Sequence, residues 1–260
     1  SYLREEPGAA RAFENQFDPY LQVSSRLASY DAIGHPTSKI ELLILGGSWT
    51  AYPEEYQAWF IQRCLDAMNG TDSATLEEAQ VVNQTSARRN VGLVVETRPD
   101  TIDPAVLAGM RRMGVTKVQI GAQSFNDEIL EKNQRGHTAE VTLQAVSMLR
   151  AAGFKIVMHW MPKRLGATLA SDRADFVKMW EGGYCPDEIK IYPTQLIESS
   201  QLYQYWLQGA YKPYTTQELV RLIADIKPGI PEYCRVNRII RDIPSTYIID
   251  GNKRSSLRQD

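Results

Sequence analysis

Residues 138–162 read TAEVTLQAVSMLRAAGFKIVMHWMP. Thr138 is a capping residue, and Val141, Leu143, Val146 and Leu149 follow on one helical face. Gly153 supplies the flexible residue that closes such a helix. A short apolar run at 155–161 then has strand length and stops at Pro162. A helix that feeds directly into a strand is the repeating unit of a parallel α/β sheet.

The same unit recurs in both directions. Toward the N-terminus, a strand at 117–121 follows a helix opened by Asp103-Pro104, a cap with proline in the first turn. Before it come a strand at 91–96, a helix at about 75–88, and a helix from Pro53 to about Asn69-Gly70. A strand at 39–45 stops at Gly46-Gly47, and helix formers fill about 8–33. Toward the C-terminus, a helix at about 172–181 leads to a strand at 188–192. Thr215 and Glu218 make a capping box for a helix to about Lys227, and 235–240 is the last strand. Six strands joined by helical crossovers predict an α/β fold, a partial (β/α) barrel with parallel strands. Residues 1–37 read as a helical lead-in, 38–245 as the barrel core, and 246–260 as the start of a linker.

Composition narrows the classes. A chain of 260 residues, 43% apolar, buries a full core. No apolar run approaches the roughly 18 residues that span a bilayer, so no membrane helix is expected. The formal net charge of −2 means any nucleic-acid footprint is local. Cys64, Cys185 and Cys234 lie far apart, which fits a reducing, cytoplasmic setting and offers no metal-ligand spacing. The opening Ser1-Tyr2-Leu3-Arg4 reads as a cut edge rather than a natural start.

In such a fold, chemistry gathers at the C-terminal strand ends. Period-2 alternation puts His159 on the face of Val157 and Met161, and Lys190 with Tyr192 on the inward face of theirs. Glu96 ends one strand, Gln123 and Ser124 follow another, and Gly46, Gly47 and Ser48 follow a third. Polar groups converging on one mouth favour a ligand site. Each also has a plainer reading. His159 suits a hydrogen-bonded core residue, Tyr192 packing with a satisfied hydroxyl, and Glu96 an ion pair with Arg98 or Lys190. The glycine pair equally suits a simple turn. Arg235, Arg238 and Arg241, followed by Lys253, Arg254 and Arg258, suit phosphate contacts, or a solvated edge paired to residues such as Asp242.

Certain stretches together resemble a known family. They are Asp18-Pro19-Tyr20-Leu21-Gln22, Gly46-Gly47, Pro53-Glu54-Glu55-Tyr56, Glu96-Thr97-Arg98-Pro99-Asp100 and 121–124. They continue with Arg135-Gly136-His137-Thr138, His159-Trp160-Met161-Pro162, Lys190-Ile191-Tyr192-Pro193-Thr194 and Arg241-Asp242-Ile243-Pro244. In this order the chain resembles the radical S-adenosylmethionine (SAM) domain of the Elongator catalytic subunit family, enzymes that transfer acetyl and carboxymethyl groups to the tRNA wobble uridine.

The resemblance implies a 4Fe-4S cluster on three cysteines that binds and splits SAM, giving a 5′-deoxyadenosyl radical that activates acetyl-CoA for addition to C5 of uridine. It implies SAM contacts at Gly46, Gly47, Ser48, Glu96, Gln123 and Ser124, and acetyl-CoA binding at Lys39, otherwise a surface lysine at a strand start. Lys190, Tyr192 and His159 become catalytic candidates lining the radical path. Arg235, Arg238, Arg241, Lys253 and Arg254 become contacts to a tRNA anticodon stem-loop, and Elongator-type partners or a homodimer are implied. The cluster cysteines are expected upstream of Ser1, and an acetyltransferase-like domain beyond Asp260, so the piece alone is expected to be inactive. Two departures stand out: Ser48 replaces a common Thr, and Met161-Pro162-Lys163-Arg164-Leu165-Gly166 replaces the family's Asn-containing turn. The competing readings are a tRNA- and acetyl-CoA-binding module without radical chemistry, and a barrel enzyme acting on a phosphorylated metabolite.

Overall fold

The computed structural model describes residues 3–254, 257 and 259. The helices that start at Pro19, Leu76, Pro104, Asp127, Ala139, Leu169 and Thr216 do so at side-chain caps. The helix formers of 8–33 build two helices, α1 (Pro7–Glu14) and α2 (Pro19–Ala32). Gln16 and Phe17 take left-handed φ angles of 56° and 60°, which breaks the helix. Asp18 then caps the restart by accepting from the Leu21 amide at 3.1 Å. Strand β1 (Lys39–Ile44) precedes α3 (Glu54–Asn69), which ends at Gly70 with φ 72°. Helix α4 (Leu76–Asn83) is shorter than expected. The Asn83 side chain donates to Arg88 O and accepts from the Asn90 amide, so it satisfies backbone groups that a longer helix would need.

Strand β2 (Arg89–Thr97) pairs parallel with β1, from Lys39 opposite Arg89 to Ile44 opposite Val95. Helix α5 (Pro104–Arg112), capped by Asp103, leads into β3 (Lys117–Gln123). The chain forms two compact units. The first holds residues up to Thr97 and Asp103–Val118, and its core is Ile61, Cys64, Leu65, Ala79, Leu93, Val95 and Met110.

The second holds Arg98–Ile102 and the chain from Gln119 onward. It continues through α6 (Asp127–Lys132), α7 (Ala139–Ala151), β4 (Lys155–Trp160), α8 (Leu169–Glu181) and β5 (Glu188–Ile191). Then come β6 (Leu196–Ile197), α9 (Gln201–Leu207), α10 (Thr216–Ile226), β7 (Arg235–Ile239) and β8 (Ile248–Asp250). Beyond Lys155, every residue of β4 is buried, as in a parallel strand covered on both faces. The Asp175 carboxylate on α8 accepts from the Ser124 hydroxyl at 2.9 Å, the Phe125 amide at 2.8 Å and the Trp160 indole at 2.9 Å. One buried acid thereby ties the segment after β3, strand β4 and helix α8 together. Burial raises its pKa, and those three donors oppose the rise.

The strands lie in the order β1-β2-β3-β4-β5-β7 in one six-stranded sheet, while β6 and β8 form a separate antiparallel ribbon. Pairs β4–β5 and β5–β7 are parallel. This is the expected partial (β/α) barrel. The register of β5 against β7 shifts between Ile189 and Lys190, leaving Asn237 as an extra residue. The bulge interrupts alternation, so Arg235, Asn237 and Arg238 are all exposed.

Candidate functional site

In the second unit, polar side chains from three strands meet. His159 and Lys190 stand opposite each other in the β4–β5 register and so share a face. Both reach the Gln119 side chain on β3: Lys190 Nζ donates to Oε1 at 2.6 Å, and His159 Nε2 lies 2.8 Å from the same oxygen. Because that oxygen only accepts, His159 carries its proton on Nε2. Tyr192 closes the group, its ring 5.3 Å from the His159 ring in an edge-on arrangement and 5.9 Å from Lys190 Nζ.

The exposures are 1% for Gln119, 3% for His159 and 6% for Lys190, so the cluster is dry. Burial first, then the charges of Lys190 and Arg241, hold the His159 pKa well below its ordinary value. The imidazole is therefore neutral at physiological pH. Gln119 was missed in the sequence. Its signal was a polar residue between Val118 and Ile120, on the face that carries Gln123 two pairs further on.

At the end of β3, Gln123 adopts φ 71° and its carbonyl accepts from the Met161 amide at 2.9 Å. Its side-chain oxygen faces Arg164. Ser124 is buried and its hydroxyl is committed to Asp175, so it seats α8.

In the first unit, Gly46 and Gly47 follow β1 with φ 145° and 95°, and an added Cβ at either would meet no atom within 4 Å. Backbone conformation requires glycine there, and the loop's backbone is open to solvent. Ser48 is half-buried and makes no cap to the 3-10 turn Trp49–Ala51. Glu96 is half-buried near the end of β2. Lys39 is exposed at the start of β1, the opposite end of the strand from Gly46. At about 3.3 Å per residue the two are roughly 20 Å apart, so Lys39 does not join the glycine loop.

The basic residues do not form one patch. Arg235, Lys253 and Arg254 are exposed. Arg238 is held by Asp242 at 2.7 Å, the ion pair weighed in the sequence. Arg241 is half-buried, and its charge acts on His159. Arg258 lies outside the described residues.

Comparison with known proteins now adds to this geometry. A model of the Radical SAM superfamily matches residues 27–167, more than half of the chain, and one of the Radical SAM C-terminal domain matches 186–260. The chain belongs to the radical SAM superfamily. The tRNA uridine(34) acetyltransferase of Methanocaldococcus jannaschii is 45% identical over 258 residues, covering 99% of this chain and 48% of the relative. Elongator complex protein 3 of Homo sapiens is 35% identical over 260 residues, covering 100% and 48%. The chain thus spans about half the length of these curated relatives. Among solved structures, the archaeal Methanocaldococcus infernus Elp3 with an N-terminal deletion superposes with a TM-score of 0.93 at 42% identity, over 98% of this chain and 59% of that one. Coproporphyrinogen III oxidase from Escherichia coli, described as a radical SAM enzyme, gives 0.50 at 18% identity over 84% and 46%, and shares the fold alone.

Membership in this superfamily implies SAM and a 4Fe-4S cluster. The residues present do not supply the cluster's thiolates. Among the described residues no three metal-ligating side chains come together. Burial pushes the Cys64 and Cys234 thiols up to about 12, the wrong direction for a ligand. The open Gly46-Gly47 backbone suits close approach of a ligand. No helix of the described residues is long and apolar enough to cross a membrane.

Proposed function

We propose that this chain is the radical SAM portion of a tRNA wobble-uridine modifying enzyme, an acyltransferase that uses SAM and acetyl-CoA to modify C5 of uridine. One observation carries the reading: likeness to tRNA uridine(34) acetyltransferases runs along 99% of this chain. SAM, when bound, would supply the radical chemistry. In the first unit Gly46, Gly47, Ser48 and Glu96 are the candidate SAM contacts, and in the second Gln123. Ser124 would act indirectly, through Asp175.

His159, Lys190 and Tyr192 are the candidate catalytic residues. Gln119 fixes His159 in one neutral tautomer and directs the Lys190 ammonium, so both are oriented before any ligand arrives. The Lys190 ammonium has further N–H donors with which to orient an acyl or base oxygen, while the neutral His159 ring offers Nδ1 as an acceptor. Lys39 is the proposed acetyl-CoA contact. Arg235, Lys253 and Arg254 are the exposed candidates for anticodon stem-loop phosphates, with Arg238 and Arg241 available only through exchange of their present surroundings. Elongator-type partners and a cytoplasmic setting accompany the reading.

The test is to prepare the parent protein with its cluster cysteines, reconstitute it anaerobically, and supply SAM, acetyl-CoA and tRNA. Formation of 5′-deoxyadenosine and a mass increase at the wobble uridine are expected. If neither forms while SAM still binds, a binding module without radical chemistry replaces this reading.

A further inference from the structure

In the first unit, at the end of the sheet where β2 begins, α3, α4, α5 and β2 enclose a groove of about 540 Å³. That is room enough for a small-molecule ligand. Its floor is apolar: Ile61, Leu65 and Met113 are buried, and Val91 leaves 55% of its surface exposed. The guanidiniums of Arg89, Arg111 and Arg112 stand around that floor, all exposed. No carboxylate lines the groove among the described residues. In a chain with 31 acidic and 29 basic residues, such segregation of charge makes the groove locally attractive to an anion.

Two of these arginines also have local duties. Both lie in the last turn of α5, where cations suit the terminal carbonyls. Arg111 donates to Val115 O at 3.2 Å, and Arg112 pairs with Glu54 at 2.5 Å. Arg89 has no such duty. It opens β2, and its guanidinium has no hydrogen bond or ion pair among the described residues. Lys39 stands opposite it in the β1–β2 register and adds a second cation at that end of the sheet. Gln84, the residue that ends α4, also lines the groove, and its amide is likewise unpartnered among the described residues. Val91 leaves an apolar surface between these polar groups that water alone covers poorly.

We propose that this groove binds an adenine nucleotide, with Arg89 and Arg111 on its phosphates, the ring against Val91 and the Gln84 amide on the adenine edge. A guanidinium fork matches phosphate oxygens, and a glutamine amide matches adenine N6 and N7. An RNA strand fits less well. Its phosphates would run past the groove, and Arg88, next along the chain, is already held by Asp31. The site goes beyond the proposed function and holds whether or not that reading does.

Isothermal titration with adenosine 5′-diphosphate, adenosine and inorganic phosphate tests it, with a short single-stranded RNA as competitor. The diphosphate should bind at least about tenfold more tightly than adenosine or phosphate, because only it uses cations and floor together. Arg89→Ala should weaken its binding by about fivefold or more, and Arg89→Lys should retain part of the affinity. Val91→Glu, which sets a carboxylate in the floor, should weaken it by about tenfold or more. Gln84→Ala should bring adenosine and uridine 5′-diphosphates to equal affinity. All three side chains are exposed, so thermal melting of the variants should match the native protein. No binding of the diphosphate, equal binding of phosphate alone, or unchanged affinity in Arg89→Ala and Val91→Glu would overturn the site. RNA that displaces the diphosphate at equal phosphate concentration, and is itself weakened by Arg89→Ala, would give the groove to RNA and overturn it as well.

Discussion

Gln119 serves two titratable neighbours at once. Its one oxygen accepts from the Lys190 ammonium and serves the His159 ring, all within a dry interior. Replacing it by leucine keeps the volume but withdraws an acceptor from a buried cation. Gln119→Leu should lower stability by about 2–3 kcal/mol, read from the urea midpoint, with larger losses in turnover than in tRNA affinity. An unaltered midpoint would show that the cluster carries no structural weight. His159 and Lys190 were visible in the sequence because strand alternation alone turns them inward. Gln119 was hidden because its importance lies in partners 40 and 71 residues away. Likewise, the engagement of Ser124 with Asp175 and the nearness of Arg241 to His159 follow from tertiary placement, which spacing does not encode.

Among the elements, α8 combines legible and hidden features. Its capping box of Thr168 and Ser171 was not foreseen and starts it at Leu169, before the expected 172. On its first turn Asp172 accepts from the Tyr214 hydroxyl at 2.7 Å and from the Lys163 amide. Burial raises its pKa from 3.8 to about 6, against the pull of both donors. The folded state therefore binds a proton that the unfolded chain has already released, so stability from this group is fully present below about pH 4 and is lost as pH rises through about 6. Asp172→Asn keeps an acceptor oxygen and abolishes the titration. Between pH 4.5 and 7, urea melts should show the native protein losing on the order of 2 kcal/mol relative to the Asp172→Asn variant. Parallel curves for the two proteins would refute the buried-acid account. The strands themselves were legible because apolar runs bounded by glycine and proline leave little choice. The β7 bulge and the β6–β8 ribbon were not, since each is defined by a distant partner strand.

For the molecule as a whole, charge is nearly balanced, so the RNA affinity proposed above would rest on a few exposed cations. Arg235, Lys253 and Arg254 are the exposed set. Replacing all three by alanine should weaken binding of an anticodon stem-loop and reduce the slope of log affinity against log salt by about 2–3. Arg238→Ala, which first releases Asp242, should change that slope less. Equal slopes for the triple variant and the native protein would return these residues to ordinary surface.

The β6–β8 ribbon joins Leu196 to Asp250 and Ile197 to Ile248, and the Trp206 indole donates to Asp250 at 3.1 Å. The chain between these points, α9, α10 and β7, is closed at its ends by the ribbon and held again where β7 pairs with β5. Leu207, the last residue of α9, and Gln208 to Ala210 just past it are exposed. A protease cutting there would sever the backbone without parting the halves, and the nicked protein would migrate intact through a sizing column yet separate into two fragments in detergent.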